Sequence, residues 1–160
     1  LGGTGLGDVL ARATGGCLVY RRRAGAPGVG EAEGLKCPRA VAVAVDLKAY
    51  STRAMLSQLG DKIKEAGAKA LAEFSRNPSF EAFLELARRF SKEVGFLTGS
   101  MEEAAGGMRG LLGFYAKKGV AVFVVEEEWT EDAVAAASSL GAARAFKLID
   151  RRIELRPRAP

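Results

Sequence analysis

Two stretches between the apolar run "RAVAVAVDL" and the paired runs "LLGFYA" and "VAVFVV" carry hydrophobic side chains every three to four positions. In the first, entered at Ser51 or Thr52, the stripe is Leu56, Leu59, Ile63, Ala66, Ala70 and Phe74. The second opens at "NPSFEAF", with Asn77 as cap and Pro78 in the first turn, and continues through Phe80, Phe83, Leu84, Ala87, Phe90 and Val94. Such spacing gives each helix one apolar face that has to be buried. The flanking runs supply the surface: Val41 to Leu47 reads as a buried strand, and the two later runs, split by Lys117, Lys118 and Gly119, read as a β-hairpin. The stripes are therefore core rather than a cofactor box.

The remaining segments fit around this frame. Asp8 to Thr14 reads as a short helix stopped by Gly15-Gly16, followed by a strand from Cys17 to Arg22. "AGAPGVGEAEGLKCP" reads as a loop. Glu102 to Ala105 is helical and broken at Gly106-Gly107; Thr130 caps a helix that runs to Leu140 and ends at Gly141; "RAFKLI" and "RRIEL" form the last strands. This order predicts an α+β fold with roughly four to six strands in a mostly antiparallel sheet, covered on one face by helices, of the split βαβ or ferredoxin-like kind. No internal repeat is visible, and residues 1–160 are read as a single domain.

Composition removes several kinds of chemistry. The chain has no histidine, and Cys17 and Cys37 lack CxxC spacing, so neither a zinc site nor a Cys/His nucleophile pair is available within it. A chain of 160 residues buries about two thirds of its unfolded surface, so no disulfide framework is needed for stability. The net charge of +5 gathers at Arg21, Arg22 and Arg23 and again from Arg144 to Arg158. Aromatic residues do not alternate with these clusters as single-strand binders require, so they are read as solvated strand edges and nucleic acid is not expected. Glu126, Glu127 and Glu128 stand before a helix, where acids favour its N-terminus, and lack the ligand pattern of a calcium loop. No run of 18 apolar residues and no signal peptide is present, which predicts a soluble, cytoplasmic protein without membrane contact. A first residue of Leu suggests a processed chain or an excised part of a longer one.

The glycine-rich opening "GGTGLGD" is neither a dinucleotide fingerprint, which needs a preceding strand, nor a P-loop, which needs Gly-Lys-Ser/Thr. What it offers is one carboxylate, Asp8, at a helix start where N–H groups and the helix dipole keep it ionised. Asp8 is either a plain N-cap or a base that accepts a proton from a substrate hydroxyl during phosphoryl transfer. Arg21 is either a charge at a strand end or a bidentate fork for a carboxylate.

The order "TGLGDVLARATGGCLVYR", "GAPGVG", then a Val/Ala strand leading to "YSTRAML", resembles the second half of the archaeal pantoate kinases of the GHMP kinase superfamily. The paired "GLLGFY" and "GVAVFVV" occupy the place of that superfamily's third motif, with Phe114 and Tyr115 where members often carry small residues. The resemblance implies a GHMP-type C-terminal domain, with residues 1–23 at the junction to an N-terminal half. It implies Asp8 as the base at the pantoate hydroxyl, Gly5 and Gly7 shaping its turn, and Arg21 on the pantoate carboxylate; Ser51-Thr52-Arg53 matches a family motif without an assigned role. The reaction implied is phosphorylation of pantoate to 4-phosphopantoate for coenzyme A, with ATP and magnesium. The family's N-terminal half carries the phosphate loop and the magnesium glutamate, and neither is in this sequence. Its partners are thus expected to be a small-molecule substrate and that N-terminal half, with a homodimer left open, and the chain alone is expected to be inactive. Two other readings stand: a different GHMP small-molecule kinase, in which Asp8 keeps its role and Arg21 does not, and a non-catalytic α+β ligand-binding or interaction module.

Overall fold

A computed structural model describes residues 14, 16–23, 25, 27–47, 52–117 and 119–149, the side chains of 52–56 excepted. The described residues fall into two compact units, divided in sequence between Cys37 and Pro38 and again between Leu148 and Ile149.

The first unit contains a two-stranded antiparallel hairpin, β1 (Leu18–Arg23) with β2 (Glu31–Leu35), running from Leu18↔Leu35 to Arg23↔Glu31 with a bulge between Arg21 and Arg23. β2 corrects the expectation of a loop over 24–38. Its residues show no apolar alternation; pairing follows instead from the turn at 27–30, which returns the chain alongside β1, and from the Glu33 carboxylate, 2.7 Å from Arg22. Cys17 and Cys37 form a disulfide with Cα atoms 6.0 Å apart, although the length of the chain had implied that no such bond was required.

The second unit, Pro38–Leu148, has the ferredoxin-like order. Strand β3 (Ala40–Asp46) leads into helices α1 (Thr52–Arg76), α2 (Phe80–Glu93) and α3 (Gly99–Gly106). The hairpin β4 (Leu111–Lys117) and β5 (Val120–Glu126) follows, then a 3-10 turn over Glu127–Trp129, helix α4 (Thr130–Ala137) and strand β6 (Ala143–Lys147). The sheet runs β4-β5-β3-β6 with every neighbour antiparallel, as expected from the sequence. Alternate residues of the central strands point to one face: Val41, Val43, Val45, Phe123 and Val125 pack against Met101 and Ala105 of α3, Met108 just after it, and Ala133 and Ala137 of α4. The stripes of α1 and α2 pair the two helices, joined at the surface by Arg89, which lies 2.8 Å from Glu73 and 2.8 Å from Glu85.

Helix boundaries depart from the sequence reading for local reasons. Ser79, rather than Asn77, caps α2: the Asn77 amide still donates to the Phe74 carbonyl and so closes α1, and Ser79, the residue directly before Phe80, accepts from the Ala82 amide through Oγ at 3.0 Å. α3 begins earlier than Glu102 because Thr98 caps it, accepting from Met101 at 3.4 Å. Thr130 is the first residue of α4 rather than its cap; its hydroxyl donates to the Glu127 carbonyl at 2.6 Å, and the helix ends at Ala137, short of Leu140. The short helix from Asp8, apart from Thr14, and the strand "RRIEL" lie outside the described residues.

Candidate functional site

Three consecutive arginines end β1, and the hairpin treats them differently. Arg22 donates to Glu33 at 2.7 Å, and its guanidinium stands 5.8 Å from the Tyr20 ring centre. The hydrogen bond to Glu33, reinforced by that carboxylate's charge, raises the Arg22 pKa above its ordinary value. Arg23 folds back over the turn: Nε donates to the Val29 carbonyl at 3.0 Å, a second nitrogen shares that acceptor, and Glu31 lies 3.7 Å away. Arg21 points to the opposite face from Arg22, as strand alternation requires, and stands across from Ala32, whose methyl group leaves the guanidinium uncovered. Among the described residues Arg21 has no hydrogen-bond or ion-pair partner. An exposed, unengaged fork of five donors is suited to a carboxylate or a phosphate.

The base of the hairpin is held by backbone proximity. Gly16 adopts φ +100°, and a Cβ there would stand 2.9 Å from the Gly34 Cα, so any side chain would push the two strands apart. The Cys17 amide donates to the Leu35 carbonyl at 3.2 Å. The sequence reading of Gly15-Gly16 as a helix stop rests on residues outside those described; the close contact of Gly16 with Gly34 was not legible in the sequence.

The other candidates divide as follows. Asp8, Gly5, Gly7 and Ser51 lie outside the described residues; Thr52 and Arg53 form the first turn of α1. The segment likened to a third motif, Gly110 to Phe123, is structural at its two bulky positions. The Phe114 ring stacks on Phe123 with centroids 5.9 Å apart, and Tyr115 meets Phe83 edge-on at 5.5 Å. Burial pushes the Tyr115 hydroxyl pKa up. Of the acidic run, Glu127 pairs with Lys147 at 2.7 Å, which fits a structural role. Arg144 likewise lies 3.1 Å from Asp46, so the described part of the second basic cluster is a paired strand edge.

A cleft of about 790 Å³ in the second unit was not foreseen from sequence. Its wall includes Leu47, Phe96 and Met101 on the apolar side and Thr98, Ser100 and Glu103 on the polar side. Among the described residues no group of three Cys, Asp or Glu side chains could hold a metal ion. No helix among them is long and apolar enough to cross a membrane.

The family resemblance seen in the sequence is borne out by comparison with known proteins. The chain is 38% identical over 104 residues to a pantoate kinase of Thermococcus kodakarensis (strain ATCC BAA-918 / JCM 12380 / KOD1), a match covering 63% of this chain and 34% of the relative. It thus spans about a third of that relative's length. Among solved structures, a phosphotransferase related to the CoA biosynthesis pathway superposes with TM-score 0.68 at 23% identity, covering 91% of this chain and 49% of the other, and so shares its fold. An L. major mevalonate kinase in complex with R-mevalonate gives TM-score 0.48 at 12% identity, covering 82% of this chain and 49% of the other. No family model matches the chain.

Proposed function

We propose that the chain is the C-terminal part of a small-molecule kinase that phosphorylates the hydroxyl of pantoate, giving 4-phosphopantoate for coenzyme A synthesis in the cytoplasm. The similarity to the Thermococcus pantoate kinase carries this reading. In it, Asp8 takes the proton of the pantoate hydroxyl as the phosphoryl group is transferred, while Gly5 and Gly7 allow the turn that brings the carboxylate there. Arg21 holds the pantoate carboxylate; its support is that Arg22 and Arg23 are engaged within the hairpin whereas Arg21 has no hydrogen-bond or ion-pair partner among the described residues.

ATP and magnesium would supply the phosphoryl donor and its charge neutralisation. The described residues furnish no set of acidic side chains for the metal, and the 160 residues contain no standard phosphate loop. We therefore assign nucleotide and metal binding to an N-terminal GHMP half, as the family resemblance implies, and derive from this chain only substrate placement and proton removal.

The test is Asp8→Asn in the complete protein. Asn caps a helix as well as Asp does but accepts no proton, so kcat should fall by about a hundredfold or more with the melting temperature unchanged. Activity within a few-fold of the parent would make Asp8 a cap only. The 160 residues alone should release no ADP from ATP and pantoate; release at the rate of the complete protein would place the nucleotide site here instead.

A further inference from the structure

In the hairpin β1–β2 Leu18, Val19, Tyr20, Ala32 and Leu35 are half-buried and none is fully buried, and a two-stranded hairpin by itself is marginal in water. Its ordered pairing depends on fastenings at both ends. At the tip, Arg23 binds the Val29 carbonyl and approaches Glu31. At the open end, one residue before Leu18 and two after Leu35, the last ladder pair, stands the disulfide between Cys17 and Cys37. It closes a loop with a sequence separation of 20 residues, and it lies beside the Gly16–Gly34 backbone contact.

We propose that the Cys17–Cys37 bond is a reducible fastening that fixes the hairpin, and that a dithiol opens it. A thiolate of the dithiol attacks one sulfur, its second thiol resolves the mixed disulfide, and two electrons and two protons convert the bond into two thiols while the dithiol becomes a disulfide. Both cysteines are only half-buried, so a small dithiol reaches them. With the bond gone, the strands keep their backbone ladder, their half-buried side chains, the Arg23–Val29 bond at the tip and the exposed Arg22–Glu33 and Arg23–Glu31 pairs, which contribute little in water, while the open end has lost its covalent link. Gly16 and Gly34 then separate, and Arg21 loses its fixed place over Ala32. A fastening that opens and closes with a dithiol couples the order of the hairpin to the thiol poise of its surroundings. That bearing on activity rests on the proposed role of Arg21; the fastening itself does not, and the experiment reads the hairpin alone.

Purified protein is unfolded and alkylated with iodoacetamide, with and without prior dithiothreitol, and weighed intact. No adduct before reduction and two after it are expected; two adducts before reduction overturn the proposal. Hydrogen exchange of the folded protein is then followed in both states. Reduction should accelerate the amides of residues 18–23 and 31–35 on the order of a hundredfold, as expected for releasing a loop of this length, and leave β3 and β5 unchanged. Equal exchange of the hairpin amides in the two states overturns the proposal. The double variant Cys17→Ser with Cys37→Ser should exchange like the reduced protein and ignore dithiothreitol. If it keeps the protection of the oxidised protein, the bond fastens nothing.

Discussion

The hydroxyl of Ser91 on α2 accepts from the amide of Ala116 on β4 at 2.9 Å and lies 2.7 Å from the carbonyl of the same residue. One fully buried side chain thereby occupies both backbone groups of Ala116 on an edge strand. Its proton is shared with the Ala87 carbonyl, also at 2.7 Å. Ser91→Ala leaves the two Ala116 groups unpaired in the interior and should cost about 2 kcal/mol of unfolding free energy, read from urea denaturation.

Gly110 and Gly60 should respond in opposite directions to the same substitution. Gly110 has φ +66°, and a Cβ there would stand 2.9 Å from Trp129 Cγ and closer still to its Cδ1. Gly110→Ala combines backbone strain with a rigid clash and should cost about 3 kcal/mol or more. Gly60 sits inside α1 with nothing within 4 Å of an added Cβ, so Gly60→Ala should stabilise by about 0.5–1 kcal/mol. Thermal melts of the two variants check both signs.

The Glu127 carboxyl is held below its ordinary pKa, first by the hydrogen bond from Lys147 and then by that ammonium's charge. A folded pKa below the unfolded one means that the unfolded chain binds more protons in between. The contribution of the pair is therefore present above the unfolded value and is lost as pH falls through the folded value. Lys147→Met should move the Glu127 carboxyl titration upward, as followed by carboxyl-carbon NMR.

Arg21 and Arg22 are neighbours with separable roles in the proposed reaction. In the complete protein Arg21→Ala should raise KM for pantoate roughly tenfold to a hundredfold, the worth of a charge-assisted bidentate contact, and leave the KM for ATP unchanged. Arg22→Ala breaks its exposed pair with Glu33 and its contact with the Tyr20 ring, both within the hairpin, and should leave both KM values near those of the parent. Steady-state kinetics with each substrate varied in turn distinguish the two.

The ferredoxin-like unit was legible in the sequence because periodicity reports burial. The run "AVAVAV" became β3, the two stripes became α1 and α2, and the two apolar runs around Lys117 and Gly119 became the paired strands β4 and β5. β2 was not legible because "EAEGL" has no apolar alternation; what pairs it with β1 is cross-strand charge and a covalent bond, neither of which leaves a periodic trace. Helix starts were missed where two capping residues competed, as at Asn77 and Ser79, since the choice depends on which amide the preceding helix still holds. At the candidate site, the arginine run was visible from its composition. Which of its members stays unengaged depends on Glu31, Glu33 and Val29, brought opposite by the turn.

Ser91 also bears on what the β4 margin can accept. The backbone groups of Ala116 are already held by a helix side chain, so a strand approaching β4 would find that rung of the ladder taken, as a socket is by a fitted plug.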